Sequence, residues 1–334
     1  MTNIIDVAKR AAVSTATVSR VISRPEKVSE QTRERVQKAI AELKYEPNHA
    51  ARMLRTFRAS KILVTVPDIA NPFFAALIQG AEERARLAGY AVILGDTQHD
   101  AVLENQYAAM LLHRDVDGFV FLGHRLPEKL KALLEQPGRQ APIVNGCEYS
   151  PGLDVPSVHI DNALAAADAI DHLAGLGHRD IGIITGPLVS PLSRDRLYGV
   201  ERAAARHLIS RGLRIQHGDF SVECGVEHGR ALIAEGVTAI FSFSDEMAMG
   251  VLHAITQAGL SCPQDVSVIG FDNIQLARFL TPTLTTVAQP TRQIGEEAVG
   301  ILLRIIDGEE IRSTVTLPHQ LIERQSTARA PQRS

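Results

Sequence analysis

Between Lys61 and Ile269, short apolar runs alternate with stretches of helical spacing, and this alternation narrows the fold more than any other feature. Ile62-Leu63-Val64-Thr65-Val66, Val92-Ile93-Leu94, Phe119-Val120-Phe121-Leu122 and Ile143-Val144 open the series; Ile181-Gly182-Ile183-Ile184, Ala239-Ile240-Phe241 and Val266-Ser267-Val268-Ile269 continue it. Strands this apolar leave no face for water, so both faces need cover. The spacing predicts covering helices over 73–87, 103–113, 163–176, 196–211 and 246–258. Strands joined by crossover helices imply parallel sheets. About 270 residues of such material suit two doubly wound lobes better than one. A single closed barrel of eight βα units is the competing arrangement.

Residues 4–45 follow different rules and carry no strand signal. Ile4, Val7, Ala8 and Ala11 recur at helical spacing behind Asn3, a candidate N-cap. Ala12-Val13 breaks the pattern, and Ser14 caps a second helix over 15–22. Arg24-Pro25-Glu26 reads as a loop, after which Ser29 starts a third helix that buries Val36, Ile40 and Leu43. Three short helices with a tight turn between the first two make a helix-turn-helix unit. Beyond Tyr45-Glu46-Pro47-Asn48, residues 49–54 have length for one or two helical turns. A helix so short needs a partner to form.

Charge separates the same two regions. The chain of 334 residues carries a net −3, yet residues 1–60 hold 12 Lys/Arg against 6 Asp/Glu, a surplus of +6, which leaves −9 for the rest. A basic nucleic-acid module joined to an acidic globular body is the expectation. No apolar run reaches the roughly 18–20 residues that cross a bilayer, and Met1-Thr2-Asn3-Ile4-Ile5-Asp6 lacks a signal-peptide layout. Cys147, Cys224 and Cys262 have no metal-ligand or disulfide spacing. The chain thus reads as a soluble cytoplasmic protein with no metal and no cofactor. Enzyme chemistry finds no GxSxG, HExxH, Walker or GxGxxG signature. His178, after Gly177, reads as a helix-stop residue rather than a ligand.

The densest motif is Val13-Ser14-Thr15-Ala16-Thr17-Val18-Ser19-Arg20-Val21. A helix opening on small hydroxyl residues enters a major groove without obstruction. Its N–H groups and the hydroxyls of Ser14, Thr17 and Ser19 suit phosphate oxygens. Thr15, Ala16 and Arg20 remain for base edges. The plain alternative is an ordinary capped surface helix. Leu54, apolar among Arg52, Arg55 and Arg58, suits a minor-groove wedge, or else a leucine packed on the core. In the body, ligand positions are expected at the carboxyl ends of strands. Asp68, Phe73 and Phe74 follow the first strand, Arg196 begins a helix after Gly186-Pro187, and Asp245 and Asp272 follow later strands. An arginine facing two carboxylates can hold vicinal hydroxyls, with Phe73 and Phe220 as stacking faces. For each acid a helix-capping role is the alternative, and Asp245 ahead of Glu246 would make a good cap.

These residues resemble a known family. Ile5-Asp6-Val7-Ala8, the Val13–Val21 motif, Val28-Ser29-x-x-Thr32-Arg33-x-x-Val36 and Tyr45-x-Pro47-Asn48 look like the DNA-binding headpiece of the lactose-repressor family. The likeness continues through Asn71-Pro72-Phe73-Phe74, Val116-Asp117-Gly118, Asp161-Asn162, Gly177-His178-Arg179, Ser267–Asp272 and Leu284–Val287, covering about 1–328. It implies an all-α headpiece over 1–45, a hinge helix and linker over 46–60, and an α/β core over 61–328 of periplasmic-binding-protein type. Three crossovers would then divide the core into lobe one, about 61–159 plus 289–319, and lobe two, about 160–288 plus 320–328.

The resemblance further implies a ligand-responsive repressor that binds a palindromic operator as a homodimer. Thr15, Ala16 and Arg20 match recognition positions, while Asn48, Ala51 and Leu54 match the hinge helix. Phe73, Phe220, Arg196 and Asp272 match pocket positions. Val66-Pro67-Asp68-Ile69, Leu122-Gly123-x-Arg125-Leu126-Pro127 and Pro191-Leu192 resemble the nucleoside-catabolism branch, which implies a cytidine-like nucleoside or a pentose as effector. Ser190 stands where a purine-responsive member has a base-reading arginine, and Leu192 where it has a threonine; both departures count against a free purine base. Ribose, another sugar or a purine is the alternative effector, and a sugar- or nucleoside-processing enzyme with a DNA-binding extension the distant one. Residues 325–334 have no leucine heptad, which favours a dimer over a tetramer.

Overall fold

The computed structural model describes residues 2–23, 25–45, 58–134, 140–209 and 213–332. The chain divides into a unit of residues 1–59 and a unit of residues 60–334. In the first, α1 (Ile4–Arg10), α2 (Thr15–Ser23) and α3 (Glu30–Glu42) enclose a small core. Asn3 caps α1 reciprocally: its side chain accepts from the Ile5 and Asp6 amides while Asp6 accepts from its own. Ala12, at φ 53°, makes the tight turn before α2. Val7, Ala8, Ala11, Val18, Val21, Val36 and Ala39 are buried together, with Ile40 and Leu43 packed against them. The hinge positions Asn48, Ala51 and Leu54 lie outside the described residues.

The second unit holds two open six-stranded sheets, which rules out the closed barrel. Sheet one comprises β1 (Lys61–Val66), β2 (Ala91–Asp96), β3 (Gly118–Phe121), β4 (Ile143–Gly146), β5 (Ser157–Ile160) and β11 (Val315–Leu317), ordered β11-β5-β4-β3-β1-β2 and parallel throughout. Sheet two comprises β6 (Ile181–Thr185), β7 (Leu213–His217), β8 (Ala239–Ser242), β9 (Ser267–Asp272), β10 (Thr285–Ala288) and β12 (Gln320–Ile322). Its order is β12-β10-β9-β8-β6-β7, and β12 alone runs antiparallel. The chain therefore passes between the sheets three times: after β5, after β10, and through the two residues separating β11 from β12.

Helices cover both faces of each sheet. On lobe one, α4 (Phe73–Leu87) and α11 (Thr291–Ile306) pack on one face, and α5 (Ala101–Leu112) and α6 (Glu128–Leu134) on the other. On lobe two, α7 (Asn162–Gly175) pairs with α8 (Pro191–Arg206), and α9 (Val222–Ala234) with α10 (Asp245–Gln257). The expected helix at 196–211 starts at Pro191 instead, because proline's fixed φ and missing N–H suit the first helical position. Two helix pairs close to backbone contact at glycines. A Cβ on Gly199 of α8 would lie 2.0 Å from the Ala163 carbonyl of α7, and one on Gly295 of α11 would lie 2.0 Å from the Leu77 carbonyl of α4. His178 is fully buried and bridges the Thr238 hydroxyl, 2.9 Å away, to the Ala328 carbonyl at 3.0 Å. It pins the C-terminal segment to lobe two, a larger role than stopping a helix.

Candidate DNA interface and effector cleft

In the headpiece, Val18 turns inward while Ser14, Thr15, Ala16 and Arg20 lie exposed on the outer face of α2, with Thr17 and Ser19 half-buried. The Ser14 hydroxyl accepts the Thr17 amide at 3.1 Å and contacts the Thr17 hydroxyl at 2.9 Å. Ser14 is thus an N-cap first, and whatever it offers a phosphate comes through that cap. The exposed N-terminal turn presents N–H groups and small side chains together, as anion contact at a helix start requires.

In each sheet of the core the strand order reverses beside the first strand: β1 lies between β2 and β3, and β6 between β7 and β8. Loops leaving the carboxyl ends at such a point diverge and open a crevice. The crevice loops of the two lobes together line one cavity of about 510 Å³. Asp68, Phe73, Phe74, Ser190, Leu192, Arg196, Phe220 and Asp272 all line it. Phe73 and Phe74 meet edge to face, with ring centroids 5.0 Å apart. Phe220 has φ 74° and its ring lies against Gly186, where a Cβ would come 2.0 Å from Cζ. Arg196 is 3 % exposed and held in one orientation. Its Nε donates to Asn162 Oδ1 at 2.9 Å, its Nη1 to the Phe243 carbonyl at 2.6 Å, and its guanidinium stacks 3.6 Å from the Phe271 ring centroid. Burial lowers its pKa while the charges of Asp272 and Glu148 oppose that fall; an arginine there remains a cation.

Asp245 is the exception. It is fully buried and does not line the cavity. Its carboxyl accepts from the Thr286 hydroxyl at 2.6 Å and the Ile274 amide at 2.8 Å, bracing the carboxyl end of sheet two from behind. Nor does it cap α10, since Ser244 takes that position and accepts the Met247 amide. Arg196 also sits inside its helix rather than at the start, a consequence of the Pro191 origin of α8.

Besides the expected Asp272, the cavity lining holds Glu148 and Glu246, which sequence reasoning missed. Asp272, at φ 108°, accepts from Gln289 Nε2 at 2.8 Å, and burial pushes its carboxyl up to about 7 although Arg196 pulls the other way. Glu148 follows β4, is 7 % exposed, and is pushed by burial up to about 8. Its Oε1 accepts from the Ser190 hydroxyl at 2.9 Å, and its Oε2 has no hydrogen-bond partner among the described residues. Next to it, the Tyr149 hydroxyl donates to Asp195 Oδ2 at 3.0 Å. Adjacent residues of lobe one are thereby tied to α8 of lobe two. Glu246, on the first turn of α10, is raised to about 7 by burial and by the charges of Asp68 and Glu223.

A headpiece with an exposed recognition face and a two-lobed core with an interlobe cavity define a ligand-binding transcriptional regulator, and comparison with known proteins agrees. Residues 3–48 match the model of bacterial regulatory proteins of the lacI family, and residues 170–327 match that of a periplasmic binding protein-like domain. The chain is 42% identical to the HTH-type transcriptional repressor CytR of Escherichia coli K12, over 98% of this chain and 96% of that protein. It is 38% identical to the HTH-type transcriptional repressor PurR of Salmonella typhi, over 99% and 98%. A crystal structure of the lac repressor dimer bound to operator and the anti-inducer ONPF superposes with a TM-score of 0.86, at 29% identity, covering 98% of this chain and 99% of that one. The chain belongs to the lacI family and is a DNA-binding transcriptional repressor with a ligand-binding core, not an enzyme. Among the described residues, no helix is long and apolar enough to cross a membrane.

Proposed function

We propose that the protein represses transcription in the cytoplasm as a homodimer on a palindromic operator, controlled by a cytidine-like nucleoside held between the lobes. The observation that carries the effector reading is the pairing, in one cavity, of aromatic faces with a hydroxyl-binding pair. Phe73 comes from lobe one and Phe220 from lobe two, and Arg196 and Asp272 attract each other on the same lining. Rings of that kind take a base, and the charged pair takes ribose hydroxyls. Ser190 and Leu192 supply no cation for a purine carbonyl. A ribose or other sugar effector is the second reading, favoured by Arg196 and Asp272 taken without the rings.

Control is a coupling between two sites. The ties Glu148–Ser190 and Tyr149–Asp195 join the lobes beside the cavity, so a ligand that prefers one lobe orientation works with or against them. In the dimer, that orientation governs whether residues 46–57 of two chains fold together on the operator, with Leu54 entering the central minor-groove step and Asn48 and Ala51 beside it. Thr15, Ala16 and Arg20 read bases in the major groove, and Ser14, Thr17 and Ser19 hold phosphates.

Calorimetry with cytidine, adenosine, ribose, hexoses and purine bases tests the effector. Cytidine binding is expected; binding of hypoxanthine alone, or of a hexose, overturns the reading. On DNA, Arg20→Ala should flatten sequence preference and Leu54→Ala should reduce bending at the site centre. Failure to shift any genomic fragment specifically, with or without ligand, would remove the operator reading.

A further inference from the structure

We propose that the cleft admits an uncharged ligand and rejects its phosphate ester, so that the protein responds to a nucleoside and is blind to the matching nucleotide. The identity of that ligand rests on the nucleoside reading above; the exclusion rests on the lining itself.

Among the described residues, seven carboxyl side chains line the cavity against two arginines and no lysine. Both arginines are already partly engaged. Arg125 gives Nε and Nη2 to the two oxygens of Glu104, each at 2.9 Å, and Arg196 is held by Asn162, Phe243 and Phe271. Setting Glu104 against Arg125 leaves Asp68, Glu148, Asp219, Glu223, Glu246 and Asp272, drawn from both lobes. Glu148 is the most telling, being more than nine-tenths buried with one oxygen unpartnered. The burial that pushes its own carboxyl up to about 8 disfavours a phosphate's negative charge at the same place. His99 and His124 are the other basic side chains on the lining, and burial beside Arg125 pushes His124 toward its neutral form.

Helix N-termini are the usual refuge of a phosphate in an α/β crevice. Here the three helix starts of lobe two that border the cavity already face the chain's own acids. The start of α8 is answered by Glu148 through Ser190, that of α9 by Glu223 in its first turn, and that of α10 by Asp245 and Glu246. Carboxyl groups of the chain itself already occupy the neighbourhood of those ends. Hydroxyl and amino donors of an uncharged nucleoside suit such an acceptor-rich wall, whereas a phosphate of nearly two negative charges is repelled from both lobes at once. The signal is then a compound formed by removal of phosphate or by uptake, and consumed by phosphorylation or glycosidic cleavage.

Calorimetry on the full-length chain with three pairs tests this: cytidine and its 5′-monophosphate, adenosine and its 5′-monophosphate, ribose and ribose 5-phosphate. In each pair that binds, the ester should bind at least about a hundredfold more weakly. The double variant Glu223→Gln, Glu246→Gln should narrow that gap at least about tenfold. An ester that binds within tenfold of its unphosphorylated partner overturns the exclusion, and a gap unmoved in the double variant overturns its assignment to these acids. Binding confined to the ribose pair with the same gap removes the nucleoside and leaves the exclusion standing.

Discussion

Glu148 and Asp272 are two buried acids that shape the pH behaviour of the core. The Glu148 carboxyl rises from 4.5 to about 8 in the fold, and Asp272 rises from 3.8 to about 7. Between those limits the unfolded chain is ionised while the native one keeps its protons. The stabilisation is therefore complete below the unfolded values and is lost as pH climbs toward 8. Thermal unfolding should give a lower Tm at pH 8.5 than at pH 5.5. Glu148→Gln should be more stable than the native chain by about 1–3 kcal/mol at pH 8.5 and nearly equal at pH 5; no advantage at pH 8.5 would mean that the carboxylate ionises there freely. Asp245→Ala removes the acceptor of two buried bonds and should cost about 2–4 kcal/mol in urea unfolding. The difference between these two acids was not legible in the sequence. Asp245 and Asp272 both follow apolar strands, and only the packing of Ile274 and Thr286 around Asp245 turns it away from the cavity. Glu148 follows the weak Ile143-Val144 run in a polar stretch, and nothing local marks it as buried. Phe73, Phe220 and Arg196 were legible because few ring-and-cation residues lie beside strand ends.

Helix packing carries the next level of control. Gly295→Ala pushes a methyl into the Leu77 carbonyl and should destabilise lobe one by about 1–3 kcal/mol, read by chemical denaturation. Gly199→Ala acts on the site as well. Gly199 touches Ala163, whose neighbour Asn162 holds Arg196, so forcing α8 off α7 strains that hydrogen bond. Effector affinity in Gly199→Ala should fall at least tenfold, by about 1.4 kcal/mol or more, beyond the loss of stability; native affinity would show that Arg196 tolerates the shift. Seven of the twelve described strands were legible as apolar runs, since stretches such as Ile181–Ile184 have no wet face, while the shorter or more polar β5, β7, β10 and β11 were not. Helix α11 had a signal too, in Ile294, Ala298, Leu302 and Ile305, but lies past the last strong strand run. The antiparallel β12 was not legible, because three residues carry no periodicity and its direction is set by a two-residue connection from the other sheet.

For the molecule as a whole, the charge split predicts two different salt responses. Operator affinity should fall steeply with salt, by about 10³–10⁵ between 50 and 200 mM if a dimer meets six to ten phosphates. Nucleoside affinity, being a matter of uncharged contacts, should change little over the same range. Equal slopes for both ligands in fluorescence titrations would contradict the division of labour between the basic headpiece and the acidic core. The triple passage of the chain between the sheets has a consequence for how such a gene can change. Each lobe is assembled from segments far apart in sequence, so neither can be lifted out, exchanged with a relative's or inherited separately as one continuous stretch. The headpiece, by contrast, ends before the first strand begins and can be traded by a single recombination. New operators are therefore open to this architecture by shuffling, while new effectors have to come by substitution within the cleft.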